Sequence, residues 1–352
     1  MAIVVEEILA KAKAEGASDV HITVGIPPKM RVNGKLISME GPNLLPADTV
    51  ELVTQIMNEK QRLHFEEYGE VDMSFAIKGE GRYRANIYRQ RGSVAAAFRL
   101  VASDIPSPQR LGIPESVVEL FEKKRGLVLV TGPTGSGKST TLATLIDTIN
   151  NNRDAHIITL EDPIEYLHQH KMSIVNQREM GLDSHNYARA LRAALREDPD
   201  VILVGEMRDF ETISTAITAA ETGHLVFSTL HTIGAASTVD RVIDVFPPHQ
   251  QQQIRVQLAN VLEAIISQQL VPTIGGKGRV AAFEVLHANP AVRNMIREGK
   301  THQLISVMQT NRRAGMMTMD DALAQLYMDY KIDRDMALQF AQDQEYIRTR
   351  LV

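Results

Sequence analysis

Gly132-Pro-Thr-Gly-Ser-Gly-Lys138-Ser139 fits the pattern G-x-x-x-x-G-K-[ST], and its flanks decide how it is read. The apolar run Gly126-Leu-Val-Leu-Val-Thr131 before it predicts a buried parallel strand. Thr140 to Ile149 after it predicts a helix with Leu142, Leu145, Ile146 and Ile149 on one side. Between such a strand and helix, glycines let backbone N–H groups curl around phosphate oxygens, and the helix N-terminus adds a positive dipole end. Lys138 can then reach the β- and γ-phosphates of a nucleoside triphosphate, and the Ser139 hydroxyl can ligate Mg²⁺. The expected phosphate-binding set is Gly132, Pro133, Thr134, Gly135, Ser136, Gly137, Lys138, Ser139 and Thr140. A bare match to the pattern would leave an ordinary glycine-rich turn open; strand and helix together favour a nucleotide site.

The chain of 352 residues is long enough for two domains, each with its own core. Its 44% hydrophobic and 23% charged residues describe an ordinary soluble protein, with no run near the ~20 apolar residues that cross a bilayer. Met1-Ala-Ile-Val-Val-Glu-Glu meets two acids too early for a signal peptide. The absence of cysteine excludes disulfides and thiolate zinc sites and suits a reducing cytoplasm. A net charge of -5 argues against nucleic acid as the main partner.

The densest Pro/Gly/Ser stretch, Ala-Ser-Asp-Ile-Pro106-Ser-Pro108-Gln-Arg-Leu-Gly112-Ile-Pro114, divides the chain, so residues 102–118 are expected to link two domains. The first, residues 1–101, reads as α/β. Ile8, Leu9 and Ala12 begin an amphipathic helix; Val20, Ile22 and Val24 alternate as a strand; Asn33-Gly34 predicts a hairpin turn. Alternation in Arg82-Tyr-Arg84-Ala-Asn-Ile-Tyr88 puts Arg84 opposite in face to Tyr83, Ala85 and Ile87, and Arg99 lies on the corresponding face of the next strand. The result is an antiparallel sheet with an arginine-bearing face.

Residues 119–352 alternate strands and helices. His156 to Leu160, Val201 to Val204 and Leu225 to Leu230 join the strand at 126–131 in the pattern of a doubly wound α/β sheet. From about 235 onward the chain is expected to be mostly helical, with one strand at Val280 to Val285. Polar residues follow three of the strands: Glu161-Asp162-Pro-Ile-Glu165, Gly205-Glu206-Met-Arg208-Asp209, and Thr229-Leu-His231. A carboxylate there can orient the attacking water or hold the hydration shell of Mg²⁺, and a histidine can hydrogen-bond the γ-phosphate. Singly, each carboxylate reads as a helix N-cap or a solvated loop; three such strand ends beside one phosphate loop read as a catalytic cluster. One departure stands out: common phosphate-loop enzymes place Asp directly after four apolar residues, where this chain has Gly205 and then Glu206.

Gly132 to Ser139, Ile158 to Glu165, Val201 to Asp209 and Gly223 to His231 resemble, in order, the Walker A, Asp, Walker B and His boxes of the secretion ATPases. Ala291-Val-Arg-Asn-Met-Ile-Arg-Glu298 resembles the AIRNLIRE motif of the type IV pilus retraction branch, with Val292 for Ile and Met295 for Leu. Ala17-Ser-Asp-Val-His21 is similar to the same branch, and the likeness spans residues 3 to 315. Assembly and type II secretion ATPases usually carry a four-cysteine zinc site and an extra N-terminal domain, neither of which is expected here.

The resemblance implies a hexameric motor that hydrolyses ATP with Mg²⁺ and powers pilus retraction and twitching motility. Its subunits would combine a PAS-like N-terminal domain with a RecA-like ATPase domain and bind ATP between them. The expected location is the cytoplasmic face of the inner membrane, through a pilus platform protein of that membrane. It further implies Glu161 as the general base, Glu206 as the group organising Mg²⁺ through water, with those roles open to exchange, and His231 as the γ-phosphate sensor. Arg84 and Arg99 would approach the phosphates; a solvated sheet face is their alternative. His224 would link nucleotide state to subunit packing. Arg189, Arg192 and Arg196 read better as a solvated or contact face, and His168 and His170 as a polar loop. In Ala291 to Glu298, periodicity puts Arg293, Asn294, Arg297 and Glu298 toward water. The rival functions are a pilus-assembly or type II secretion ATPase, a nucleic-acid translocase, and a regulator that binds ATP without turnover.

Overall fold

The computed structural model describes residues 4–32, 34–77, 81–101, 104–276 and 278–351. The chain divides into two compact units, Met1–Ser103 and Asp104–Val352. Asn33 of the expected hairpin turn, and residues 102 and 103 of the expected linker, lie outside the described residues.

In the first unit, helices α1 (Val5–Ala14), α2 (Pro46–Thr54) and α3 (Glu59–Tyr68) accompany six strands: β1 (Asp19–Ile22), β2 (Lys29–Val32), β3 (Lys35–Ser38), β4 (Glu70–Ile77), β5 (Gly81–Gln90) and β6 (Ser93–Leu100). The sheet order is β3-β2-β1-β6-β5-β4, antiparallel throughout. Period-two alternation buries Tyr83, Ala85 and Ile87 beneath β5 and leaves Arg84 exposed. Phe98, on the same face, packs with them and with Leu9 and Leu52 of the helices.

The second unit begins with two short helices, α4 (Pro108–Leu111) and α5 (Glu115–Val118), inside the stretch expected to link. Then follow β7 (Gly126–Thr131), α6 (Lys138–Asn152), β8 (His156–Glu161), β9 (Ile174–Glu179), α7 (Tyr187–Ala194), β10 (Val201–Val204), α8 (Phe210–Glu221) and β11 (Leu225–Leu230). After these come α9 (Ala235–Asp244), α10 (Pro248–Val261), β12 (Leu262–Pro272), β13 (Arg279–His287), α11 (Pro290–Glu298) and α12 (Leu304–Thr310). The unit ends with α13 (Met319–Met328), α14 (Arg334–Phe340) and α15 (Gln344–Arg348). The seven-stranded sheet has the order β13-β12-β7-β11-β10-β8-β9 and is parallel except for the β12–β13 pair.

Successive residues of β7 face opposite layers, as the pleat requires. Leu127 and Leu129 join the core under α8, α9 and α10, whereas Val128 and Val130 join Leu142, Leu145, Ile146 and Ile149 of α6. Each of those α6 side chains is fully or nearly buried, worth about 1.5–3 kcal/mol apiece. Helices on both faces make this the doubly wound sheet that the sequence predicts. The expectation for residues beyond 235 needs correction: β12 and β13 together form a long antiparallel pair, and β12 runs directly out of α10. Flanked by β7 and β13, β12 has both edges satisfied, which outweighs the helical continuity of its sequence. Among the described residues no helix is long and apolar enough to cross a membrane.

Candidate active site

The carboxyl ends of β7, β8, β10 and β11 converge, because chain reversal between neighbours opens a crevice there. The loop between β7 and α6 requires its glycines. A Cβ on Gly132, at φ +140°, would stand 2.2 Å from the Gln268 carbonyl oxygen. On Gly137, at φ +91°, it would stand 2.8 Å from Gln268 Nε2. Gln268 belongs to β12 and also accepts from Thr141 Oγ1 at 2.7 Å, so this strand backs the loop. Lys138 Nζ donates to the carbonyls of Gly132 (2.8 Å) and Pro133 (3.0 Å). Burial lowers its pKa, with Glu165 and Glu206 acting the other way. Ser136 Oγ is buried without a hydrogen-bond partner. An orphaned donor inside a glycine cradle at a helix N-terminus fits a phosphate.

A cavity of about 300 Å³ opens beside the loop, lined among others by Thr134, Gly135, Lys138, Ser139, Glu161, Glu206 and His231. Three expected strand ends therefore reach one space. Glu161, at the end of β8, accepts from Thr159 Oγ1 at 2.6 Å and Gln177 Nε2 at 3.1 Å. Burial raises its pKa more than these hydrogen bonds lower it. Glu206 Oε2 lies 2.8 Å from Arg208 Nη2 and 3.5 Å from His231 Nε2. The ends of β10 and β11 are fastened together: Ser228 Oγ donates to the Val204 carbonyl (2.7 Å) and Thr229 Oγ1 to the Gly205 carbonyl (2.6 Å). Gly205, where other phosphate-loop enzymes have Asp, is explained by crowding. Its Cβ would meet Tyr187 OH at 3.0 Å and the Leu160 carbonyl oxygen at 3.1 Å.

Several residues in or beside this cavity escaped the sequence reading. Tyr187, the first residue of α7, has no local motif to mark it; burial, then Asp162, Glu206 and Glu161, raise its pKa. His168, read as polar loop, lines the cavity, and burial lowers its pKa to about 4. Gln177, on a strand too polar to predict, joins Glu161 to the backbone of Tyr166 and His168. Asp162, Glu165, Arg208 and Thr229, all within the polar strand ends that the sequence marks, also line the space.

Other candidates lie elsewhere. His224, at the opposite end of β11 from His231, hydrogen-bonds the Ala219 carbonyl at 2.9 Å, within α8. Arg192 pairs with Glu211 on the surface. Arg293 is only partly exposed and lies folded against its neighbours. It donates to the carbonyls of Ala259 (2.6 Å) and Asn260 (2.8 Å) at the end of α10, to that of Ala288, and to Glu263. Its length lets a residue on the polar side of α11 fold back over a neighbouring helix end.

In the first unit, Arg84 and Arg99 stand directly opposite each other on β5 and β6. Like charges in that register repel. Each is answered by a carboxylate, Asp72 at 3.7 Å for Arg84 and Asp19 at 2.9 Å for Arg99, and both remain exposed.

Residues 111–348 match the family described as Type II/IV secretion system protein. The type IV pilus retraction ATPase PilT of Pseudomonas aeruginosa is 49% identical over 333 residues, 95% of this chain and 96% of that protein. A twitching motility protein of Neisseria gonorrhoeae is 50% identical over 90% of this chain and 85% of its own length. A crystal structure of the pilus retraction motor PilT with bound ADP superposes with a TM-score of 0.93 at 52% identity, covering 99% of each chain.

Proposed function

We propose a function from one premise: this chain belongs to the Type II/IV secretion system protein family. It is an ATPase, and its work is the retraction of type IV pili, as its similarity to retraction motors over nearly the whole chain supports. The single observation that carries the chemistry is that the ends of β8, β10 and β11 bring Glu161, Glu206 and His231 to the cavity holding Lys138.

ATP binds with its phosphates in the Gly132–Thr140 cradle, and Lys138 turns from the loop carbonyls to the β- and γ-phosphates. Glu161 takes a proton from the attacking water as the new P–O bond forms and the bond to ADP breaks. Burial makes Glu161 a stronger base than a solvated glutamate, and Thr159 and Gln177 hold its orientation. His231 contacts the γ-phosphate and, through Glu206, feels whether it is present. The Ser139 hydroxyl and Glu206 carboxylate are hard oxygen donors that would hold Mg²⁺, Glu206 through water, and the ion would supply charge neutralisation at the phosphates. Arg84 and Arg99 add positive charge in the closed state of a homo-hexamer, each releasing its carboxylate partner to do so. The ring acts at the cytoplasmic face of the inner membrane on a platform protein of the pilus machinery.

Two variants of the purified protein test the site. Lys138→Ala loses both ATP binding and hydrolysis. Glu206→Ala still binds ATP by calorimetry while hydrolysis falls at least ~100-fold, as for loss of a transition-state group. Near-normal hydrolysis by Lys138→Ala would refute the phosphate site, and equal losses of binding and turnover in Glu206→Ala would make Glu206 structural.

A further inference from the structure

His231 follows directly on β11, and Thr232-Ile-Gly234 leads from it into α9. This short loop is fastened at three points. Thr238 of α9 donates to the Gly234 carbonyl at 2.8 Å, and its hydroxyl lies 2.7 Å from that of Thr232. The Gly234 N–H donates to Ser267 Oγ on β12 at 3.0 Å. The Ala235 N–H donates to Oε1 of Glu284 on β13 at 2.6 Å. Consecutive backbone donors at the start of α9 are thus met by buried side chains from two strands.

Glu284 is 3% exposed and does not line the nucleotide cavity. Its other oxygen, Oε2, accepts from the backbone N–H of Met319 at 3.2 Å and from Gln342 Nε2 at 3.4 Å. Met319 opens α13, and Gln342 lies between α14 and α15. Beside it, buried Asp320 accepts from the backbone N–H groups of Gln342 (2.7 Å) and Asp343 (3.0 Å). One carboxylate therefore joins the loop after His231 to the start of α13 and to the segment preceding α15. Burial raises the pKa of both acids, so ionised carboxylates here work against stability. A glutamine cannot replace Glu284, because it offers one acceptor oxygen where two are used and turns an NH₂ toward N–H donors.

We propose that Glu284 is a positioning residue for ATP turnover. It fixes the Thr232–Gly234 loop, and through it His231, and it makes that placement depend on the seating of the C-terminal helices α13–α15. The inference rests on the reading of His231 as the γ-phosphate contact.

A double-mutant cycle in the full-length ring tests it, with ATP as the probe. Glu284→Gln lowers kcat about 10-fold while KM for ATP stays within about 2-fold, since Lys138 and the cradle are untouched. Glu284→Asp, which keeps both acceptor oxygens, recovers part of that loss. In a His231→Ala background, Glu284→Gln costs less than about 2-fold more, because the group it positions is gone. Losses that multiply in the double variant would overturn the proposal, as would wild-type kcat in Glu284→Gln while His231→Ala is impaired. Wild-type kcat in His231→Ala would remove the reading of His231, and the inference with it. If Glu284→Gln does not fold, Gln342→Ala takes its place. A loss of about 3-fold that disappears in the His231→Ala background supports the coupling, and no loss or a multiplying loss contradicts it.

Discussion

Arg293→Ala removes a side chain that is 22% exposed and makes four hydrogen bonds, two of them to the last carbonyls of α10. Hydrogen bonds to a charged donor are worth about 1.5–3 kcal/mol each in isolation, but neighbouring ones do not add. Two facts limit the loss. Helix-end carbonyls are partly reachable by water, and Glu263 keeps Lys123 as a partner at 2.9 Å, so no buried carboxylate is left alone. A net destabilisation of about 2–3 kcal/mol follows. At roughly 2–4 °C per kcal/mol for a unit of this size, its unfolding midpoint falls by about 5–10 °C. Arg297→Ala is the control. Arg297 makes one side-chain bond, to Asn260 Oδ1 at 3.0 Å, and its loss shifts stability by under about 0.5 kcal/mol. Thermal unfolding of both variants, followed beside their oligomer size, decides the matter. An Arg293→Ala midpoint within about 1 °C of wild type would refute the assignment of this arginine as a cap on α10. The AIRNLIRE-like motif would then have to act wholly through its surface.

The remaining predictions concern chemistry. Burial holds the pKa of Glu161 above the ordinary glutamate value, and a base must be ionised to act. Turnover therefore falls as pH drops through a limb displaced upward from the usual carboxylate range. Glu161→Gln removes that limb along with most of the rate, whereas an unchanged limb in the variant would assign it to another group. Arg84→Ala leaves weak ATP binding but impairs turnover, and, in the hexamer proposed above, titrating Arg84→Ala subunits into wild type lowers activity non-linearly. Strictly proportional loss, or none, would return Arg84 to a solvated sheet face paired with Asp72.

What could be read in advance follows from how local each signal is. The phosphate loop is a strand, a glycine turn and a helix in one continuous stretch, so both its conformation and its chemistry are encoded together. Glu161, Glu206 and His231 were legible because each follows an apolar strand whose burial is plain in its residues. β12 was not, because no glycine or proline separates Val261 from Leu262, and Ser267-Gln-Gln269 breaks the apolar run. Its strand character comes from neighbours more than a hundred residues away in one direction, on β7. Gln177 and the strand that carries it were hidden in the same way: Asn176, Gln177 and Arg178 give no alternation, and β9 exists by pairing with β8. Periodicity placed Arg293 on the polar side of its helix but could not show which neighbour that side meets. Tyr187 and Glu284 act through tertiary contacts alone, and no spacing in the chain announces either.

The proposed function ties the withdrawal of pili to ATP turnover at the Lys138 site. Time-lapse imaging of fluorescently labelled pili, in cells lacking this chain and complemented with wild type or Lys138→Ala, tests it most directly. Cells without the chain, and cells carrying Lys138→Ala, are expected to extend and accumulate pili that do not shorten, while wild type restores retraction. Cells that lack pili altogether would mean an assembly motor, and retraction at the wild-type frequency with Lys138→Ala would show that the Lys138 site does not power it.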